Sequence, residues 1–147
     1  MNLAQNAVEE WVATHGTLPG PHKVVVIEKP ELACSFRRLL EVMGQLVEIA
    51  HYGRSGIELV NSIDPDIVFT RIEHPDMDGF CVAGEIRSKH PKKPLLVAYT
   101  GYGKWQIGKR AKEAGFDLIL TKPPTLVELF NALACVSGTI DCEELRL

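Results

Sequence analysis

The sequence runs to 147 residues, with 46% hydrophobic and 24% charged residues and a formal net charge of −3. That length suits one domain with a real core, and the slight acidic balance gives no general attraction to nucleic acid. Apolar runs such as Val24-Val25-Val26-Ile27 are far too short to span a bilayer, and Met1-Asn2-Leu3-Ala4-Gln5 lacks the basic-then-apolar pattern of a secretory leader. The expectation is a cytoplasmic protein with no nucleic-acid or membrane partner.

Residues 1–21 stand apart as an extension and linker. Ala7, Trp11 and Val12 fit a short helix, with Trp11 packed, and Gly16, Pro19, Gly20 and Pro21 break it. From residue 22 to 135, apolar runs alternate with helical stripes. The runs at 24–27, 46–50, 67–70, 95–99 and 118–120 are rich in β-branched residues and bounded by Pro, Gly or charge, so they read as five strands. Their continuous apolar character points to a parallel sheet covered on both faces.

The first helical stripe is Leu32, Phe36, Leu39, Leu40 and Met43, with Pro30 just before it. Ile57, Val60 and Ile63 mark the second. Val82 and Ile86 mark the third, capped by Asp78. Ile107, Ala111 and Ala114 mark the fourth, closed by Gly115, and Leu126, Leu129, Phe130 and Leu133 the fifth, capped by Thr125. Five such units in series predict a doubly wound, flavodoxin-like α/β sheet of order 2-1-3-4-5, with helices on both faces. Residues 136–147 form a short tail. No output domain is expected after residue 135, so the module stands alone or is part of a longer protein.

The cysteines, Cys34, Cys81, Cys135 and Cys142, form no CxxC pair and fit no zinc spacing. They are expected as reduced thiols, the first three on helices. His15, His22, His51, His74 and His90 show no metal spacing and are expected to be solvated or capping. Gly101-x-Gly103 lacks the third glycine of a dinucleotide fingerprint, and neither a P-loop nor a GxSxG elbow is present. No cofactor or bound metal is expected.

Chemistry in such sheets gathers at the carboxyl ends of the strands. There the sequence places Glu28-Lys29, Thr70-Arg71, Thr100-Gly101-Tyr102-Gly103 and Thr121-Lys122-Pro123. Together with Pro65-Asp66-Ile67-Val68-Phe69, Pro75-Asp76-Met77-Asp78-Gly79-Phe80 and Ala98-Tyr99-Thr100-Gly101, these motifs resemble the receiver domain of response regulators, across about residues 22–135. The resemblance implies phosphoryl transfer from a phosphohistidine to an aspartate at the end of the third strand. It also implies an acidic pair for Mg²⁺, a Thr and Lys for the phosphoryl oxygens, and a cis peptide after that Lys.

The sequence departs from that pattern. The acidic pair is matched by Glu28 and Lys29, and the acceptor by Arg71, a permanent cation and no nucleophile. Only Thr100 and Lys122 are kept, and the aromatic switch position is Ile119, which cannot make the family's aromatic rotation. Lys29 and Arg71 together oppose metal binding. The expected arrangement is an ion pair of Arg71 with Glu28, joined by Glu73 if that side chain turns inward; Lys122 and Thr100 then serve structure. Asp76, Asp78 and Thr70 are alternative phosphoacceptors in principle, but capping and packing are the expected roles.

The expected module is therefore not an enzyme. It is a phosphorylation-independent pseudo-receiver in two-component signalling that docks a histidine kinase, another regulator or an output protein, with a homodimer as a further form. Tyr102, Lys104 and Trp105 mark the partner face that the resemblance implies, and aromatic residues are enriched at interface hot spots. The competing readings are a phosphoacceptor at a non-standard site and an anion or small-ligand sensor.

Overall fold

The computed structural model describes residues 3–143 and 145–147. A first helix, α1 (Leu3–His15), precedes β1 (Lys23–Ile27), α2 (Pro30–Val42), β2 (Leu46–Ala50) and α3 (Gly53–Ile63). Then follow β3 (Ile67–Thr70), α4 (Gly79–Lys89), β4 (Leu95–Thr100), α5 (Lys104–Ala114), β5 (Leu118–Thr121) and α6 (Leu126–Ser137). The strands form one parallel sheet of order β2-β1-β3-β4-β5, as expected.

Alternation along each strand builds two cores. Val24 and Val26 face a layer with Trp11, Phe36, Leu40 and Phe130, from α1, α2 and α6. Val25 and Ile27 face Ile57, Val60, Val82, Ile86 and Ala111, from α3, α4 and α5. Both faces of the central strands are covered, which is why β3 and β4 are buried almost throughout, whereas the edge strand β2 exposes Leu46 and Glu48. Each fully buried Leu, Ile or Phe contributes roughly 1.5–3 kcal/mol relative to exposure.

The helix ends follow the sequence signals. Asp78 Oδ1 accepts from Phe80 N at 2.7 Å and starts α4. Thr125 and Glu128 cap α6 reciprocally, at 3.1 and 2.9 Å. Gly115 closes α5 with φ at +112°. One stripe residue departs from expectation. Ala33, Phe36 and Leu40 form the inner row of α2, continued by Met43 just past its end, so Leu32 falls on the rim and is exposed.

Trp11 is buried and stacks on Phe130 at 4.9 Å. Ala7 and Val8 join it, whereas Val12 points outward. The segment after α1 is pinned by buried Gln45, whose Nε2 donates to Pro19 O at 2.6 Å and whose Oε1 accepts from His22 N at 2.8 Å. After α6 the tail turns back. Leu145 packs on the core, and Leu147 N donates to Asp117 O at 2.9 Å.

The segment between β3 and α4 shapes the rim where the site lies. Gly79 N donates to Ile72 O at 2.6 Å, and a Cβ at Gly79 would lie 2.5 Å from Ile72 backbone, so only glycine fits. Asp76 caps α3 from outside, each carboxylate oxygen accepting a backbone N–H, of Gly53 and of Arg54, at 2.9 Å. Those N–H groups, Arg54 first, hold the Asp76 carboxyl below its ordinary range.

Candidate functional site

The carboxyl ends of β1, β3, β4 and β5 open into a cleft of about 360 Å³. It is lined by Glu28 and Lys29 after β1, Arg71 to Glu73 after β3, Tyr99 to Tyr102 around the end of β4, and Lys122 after β5. All six residues named from the sequence as the pocket are brought together, and Tyr102 with them. The pairing of the strands explains this: Ile27 sits beside Thr70, and Thr100 beside Thr121, so the residues that follow each strand share one rim.

Glu28 is the centre, with only 1% of its surface exposed. Its Oε2 accepts from Lys122 Nζ at 3.2 Å and its Oε1 from Lys29 N at 3.1 Å. Arg71 Nε lies 3.9 Å from Oε1, an ion pair without a hydrogen bond. Arg71 Nη2 reaches His51 O at 3.5 Å, and the buried Nε has no hydrogen-bond partner. Glu28 is thus the shared counter-ion for two cations, and Lys122 holds it more closely than Arg71 does. A buried carboxylate costs several kcal/mol in lost hydration, which is tolerable here because two cations face it.

The other positions fall as follows. Thr100 is buried, and its Oγ1 accepts from Tyr102 N at 3.1 Å. Glu73 does not join the charge cluster: it lies at the exposed rim of the cleft, its backbone bridged to Asp78, and forms no ion pair among the described residues. Ile119 lies outside the cleft, buried with Ala98, Ala111 and Phe116. Trp105 is fully exposed and Tyr102 about half exposed, both near the start of α5. The Lys104 side chain lies outside the described residues. The Lys122–Pro123 peptide is cis, as the resemblance implied.

Several contributors were not singled out from the sequence. His51 follows β2, and its Nδ1 sits 3.0 Å from Glu28 O. Listing the residue after every strand, β2 included, would have found it. Tyr99 is half-buried under Lys122, whose Nζ lies 4.8 Å above the ring; burial first, then Glu28, raises its hydroxyl pKa. His74 was expected to be solvated or capping. Instead the loop after β3 folds it inward, and its Nε2 lies 2.9 Å from the buried Thr70 hydroxyl. Burial, then the Arg71 charge, lowers the His74 pKa.

This donor set does not fit Mg²⁺. Glu28 is the one buried carboxylate in the cleft, and both of its oxygens are engaged by Lys122 and Lys29. Lys29 and Arg71 add two cations to the same lining, which opposes a divalent cation there. No group of three or more metal-ligating side chains occurs among the described residues.

Residues 24–134 match the family described as the response regulator receiver domain. The chain is 31% identical over 110 residues to an uncharacterised 14.6 kDa protein in the sodA1 3′ region of Leptolyngbya boryana, covering 74% of this chain and 83% of that one. It is 31% identical over 127 residues to the aerobic respiration control sensor protein ArcB of Escherichia coli K12, covering 82% of this chain but only 16% of the sensor. Among solved structures it resembles the receiver domain of Ssk1 in its complex with the histidine phosphotransfer protein Ypd1 of Saccharomyces cerevisiae. That match has a TM-score of 0.72 and 18% identity, covering 79% of this chain and 88% of the other.

A five-stranded doubly wound sheet of this order is the flavodoxin-like fold also seen in the chemotaxis protein CheY4 of Vibrio cholerae. The chain belongs to the response regulator receiver family and is a receiver domain of two-component signalling.

Proposed function

We propose that this receiver works without aspartyl phosphorylation and signals by docking a protein partner. The observation that carries the reading is the ion pairing around Glu28. Arg71 occupies the acceptor position, and Lys122, the side chain expected to bind a phosphoryl oxygen, is held 3.2 Å from Glu28 instead. The substitutes are engaged too. Asp76 and Asp78 cap α3 and α4, and Thr70 Oγ1 donates to Arg71 O at 3.0 Å. Incubation with acetyl phosphate and Mg²⁺, followed by intact mass, is expected to leave the protein unmodified; a gain of one phosphoryl group would overturn the reading.

The partner is a two-component protein, a histidine kinase, a phosphotransfer protein or another regulator, met through the exposed Tyr102 and Trp105 near the start of α5. The ArcB and Ssk1 matches support that class of partner. One observation favours a second reading, an anion in the cleft: Arg71 Nε is buried with no acceptor. Inorganic phosphate or sulfate would then raise the melting temperature of the parent but not of Arg71→Ala, since a ligand of the native state stabilises it.

A further inference from the structure

The segment after α6 folds back over the edge strand β5, outside the residues that match the receiver family. α6 ends at Gly138, whose φ of +73° reverses the chain, and Thr139 N closes the turn on Ala134 O at 3.1 Å. A second turn, with Leu145 N and Arg146 N both donating to Cys142 O at 3.0 Å, aims residues 145–147 at β5. Ile140 and Leu145 pack against the core layer that contains Leu118 and Leu120, whereas Leu147 packs against the layer that contains Ile119. The tail thus passes across the edge of the sheet. Among the described residues β5 pairs with one strand, β4, and such an open edge is a template for a further extended segment. The tail takes up one bond of that kind: Leu147 N donates to Asp117 O, just before β5, at 2.9 Å.

Two features of β5 and its surroundings do not depend on the tail. Asp117 Oδ2 accepts from Arg87 Nη2 on α4 and from Leu96 N on β4, both at 2.9 Å, which leaves Oδ1 for Arg146 Nη1 at 2.7 Å. The carboxylate is therefore aimed by groups of the scaffold. The apolar part of the contact is incomplete: a cavity of about 170 Å³ remains beside Leu118, Leu120, Ala132 and Leu145. An apolar cavity of about 150 Å³ holds a benzene ring. Leu145 walls this space without filling it and stays partly exposed.

We propose that the edge of β5 is a peptide-binding site for an extended segment carrying an aromatic residue followed by arginine, and that the chain's own tail occupies it in cis. Pairing with the β5 backbone supplies affinity, and the cavity and the Asp117 carboxylate supply specificity. The occupant in trans is a partner protein's segment of that pattern. Its ring fills the space that Leu145 leaves, its guanidinium takes the place of Arg146, and the tail swings away at Gly138.

The test is fluorescence anisotropy with labelled synthetic peptides of residues 139–147, titrated with the full chain. All peptides carry Cys142→Ser to prevent disulfide formation. The probe adds Leu145→Phe, and a control adds Arg146→Glu to the probe. The protein is the parent or a double variant, Leu145→Ser with Arg146→Ser, whose own tail no longer fits. The double variant should bind the probe about tenfold more tightly than the parent, because a tethered tail competes at an effective concentration of roughly millimolar order. The peptide that keeps Leu145 should bind more weakly than the probe, and Arg146→Glu should abolish binding. In the parent, excess probe should shift the amide signals of Leu118 to Leu120 and speed hydrogen exchange at Leu147 N, which leaves Asp117 O. That second reading decides the matter if the double variant does not fold. Failure of the folded double variant to bind the probe would overturn the proposal. So would equal binding of the Arg146→Glu control, or excess probe that leaves exchange at Leu147 unchanged.

Discussion

Two carboxylates, one at each end of the sheet, each face two cations, and they differ in how completely they are satisfied. Asp117 accepts from Arg87 Nη2 and Leu96 N at 2.9 Å and from Arg146 Nη1 at 2.7 Å, at a partly exposed position. Glu28 is more deeply buried, yet one of its two cations stops at 3.9 Å and keeps a buried N–H unpaired. Asp117 has the geometry of a clamp. Glu28 and its cations form a looser charge cluster, with Lys122 at 3.2 Å and Arg71 at 3.9 Å. The scaffold around that cleft has structural tasks of its own: Gly79 sits where a Cβ would clash with Ile72 backbone, and Asp76 and Asp78 cap α3 and α4.

The comparison can be broken by mutation. Glu28→Gln should have the largest effect, a destabilisation of about 3 kcal/mol in chemical denaturation, because it leaves Arg71 and Lys122 facing each other without a counter-ion. Asp117→Asn should cost less, about 1–2 kcal/mol, since its partners reach water more readily. A larger loss for Asp117→Asn would reverse the ranking. Arg71→Ala should cost only about 1 kcal/mol, because Lys122 continues to neutralise Glu28. No loss at all would remove the ion pair from the account.

How much of this was legible in the sequence depends on what sets each feature. The strands and three helix caps came from local pattern, because β-branched runs, Asp78, Thr125 and Gly115 act within a few residues of themselves. The rim residues came from position after a strand. Whether Glu73 turns inward to Arg71 was left open by the sequence, because the bridge of its backbone to Asp78 is a feature that no local pattern encodes. His74, Tyr99 and Gln45 were missed for the same reason: their partners are brought close only by tertiary packing. The return of the tail to Asp117 depends likewise on contacts distant in sequence.

Acid should probe both ends of the sheet with smaller effects. His74 near the cleft and His22 at the opposite end both have folded pKa values below 6.5, mainly through burial. The unfolded chain then takes up protons more readily, so the stabilisation is complete above pH 6.5 and declines as pH falls through the folded values. Urea midpoints should drop between pH 7 and pH 5, and His74→Gln and His22→Gln should each flatten part of that drop. An unchanged slope in both variants would place the acid sensitivity elsewhere. Smallest of all, Trp105→Ala should change stability by less than about 0.5 kcal/mol while weakening partner binding, because its side chain is fully exposed.

The central claim is that the charges around Glu28 leave no working phosphoacceptor. Amide NMR spectra of the parent protein, recorded with Mg²⁺ before and after addition of acetyl phosphate, test it at the residues concerned. The account predicts unchanged signals for Thr70 to Glu73 and for Thr100 to Tyr102. Shifts at those amides that appear only with the phosphodonor, spreading to β5 and α5, would contradict it.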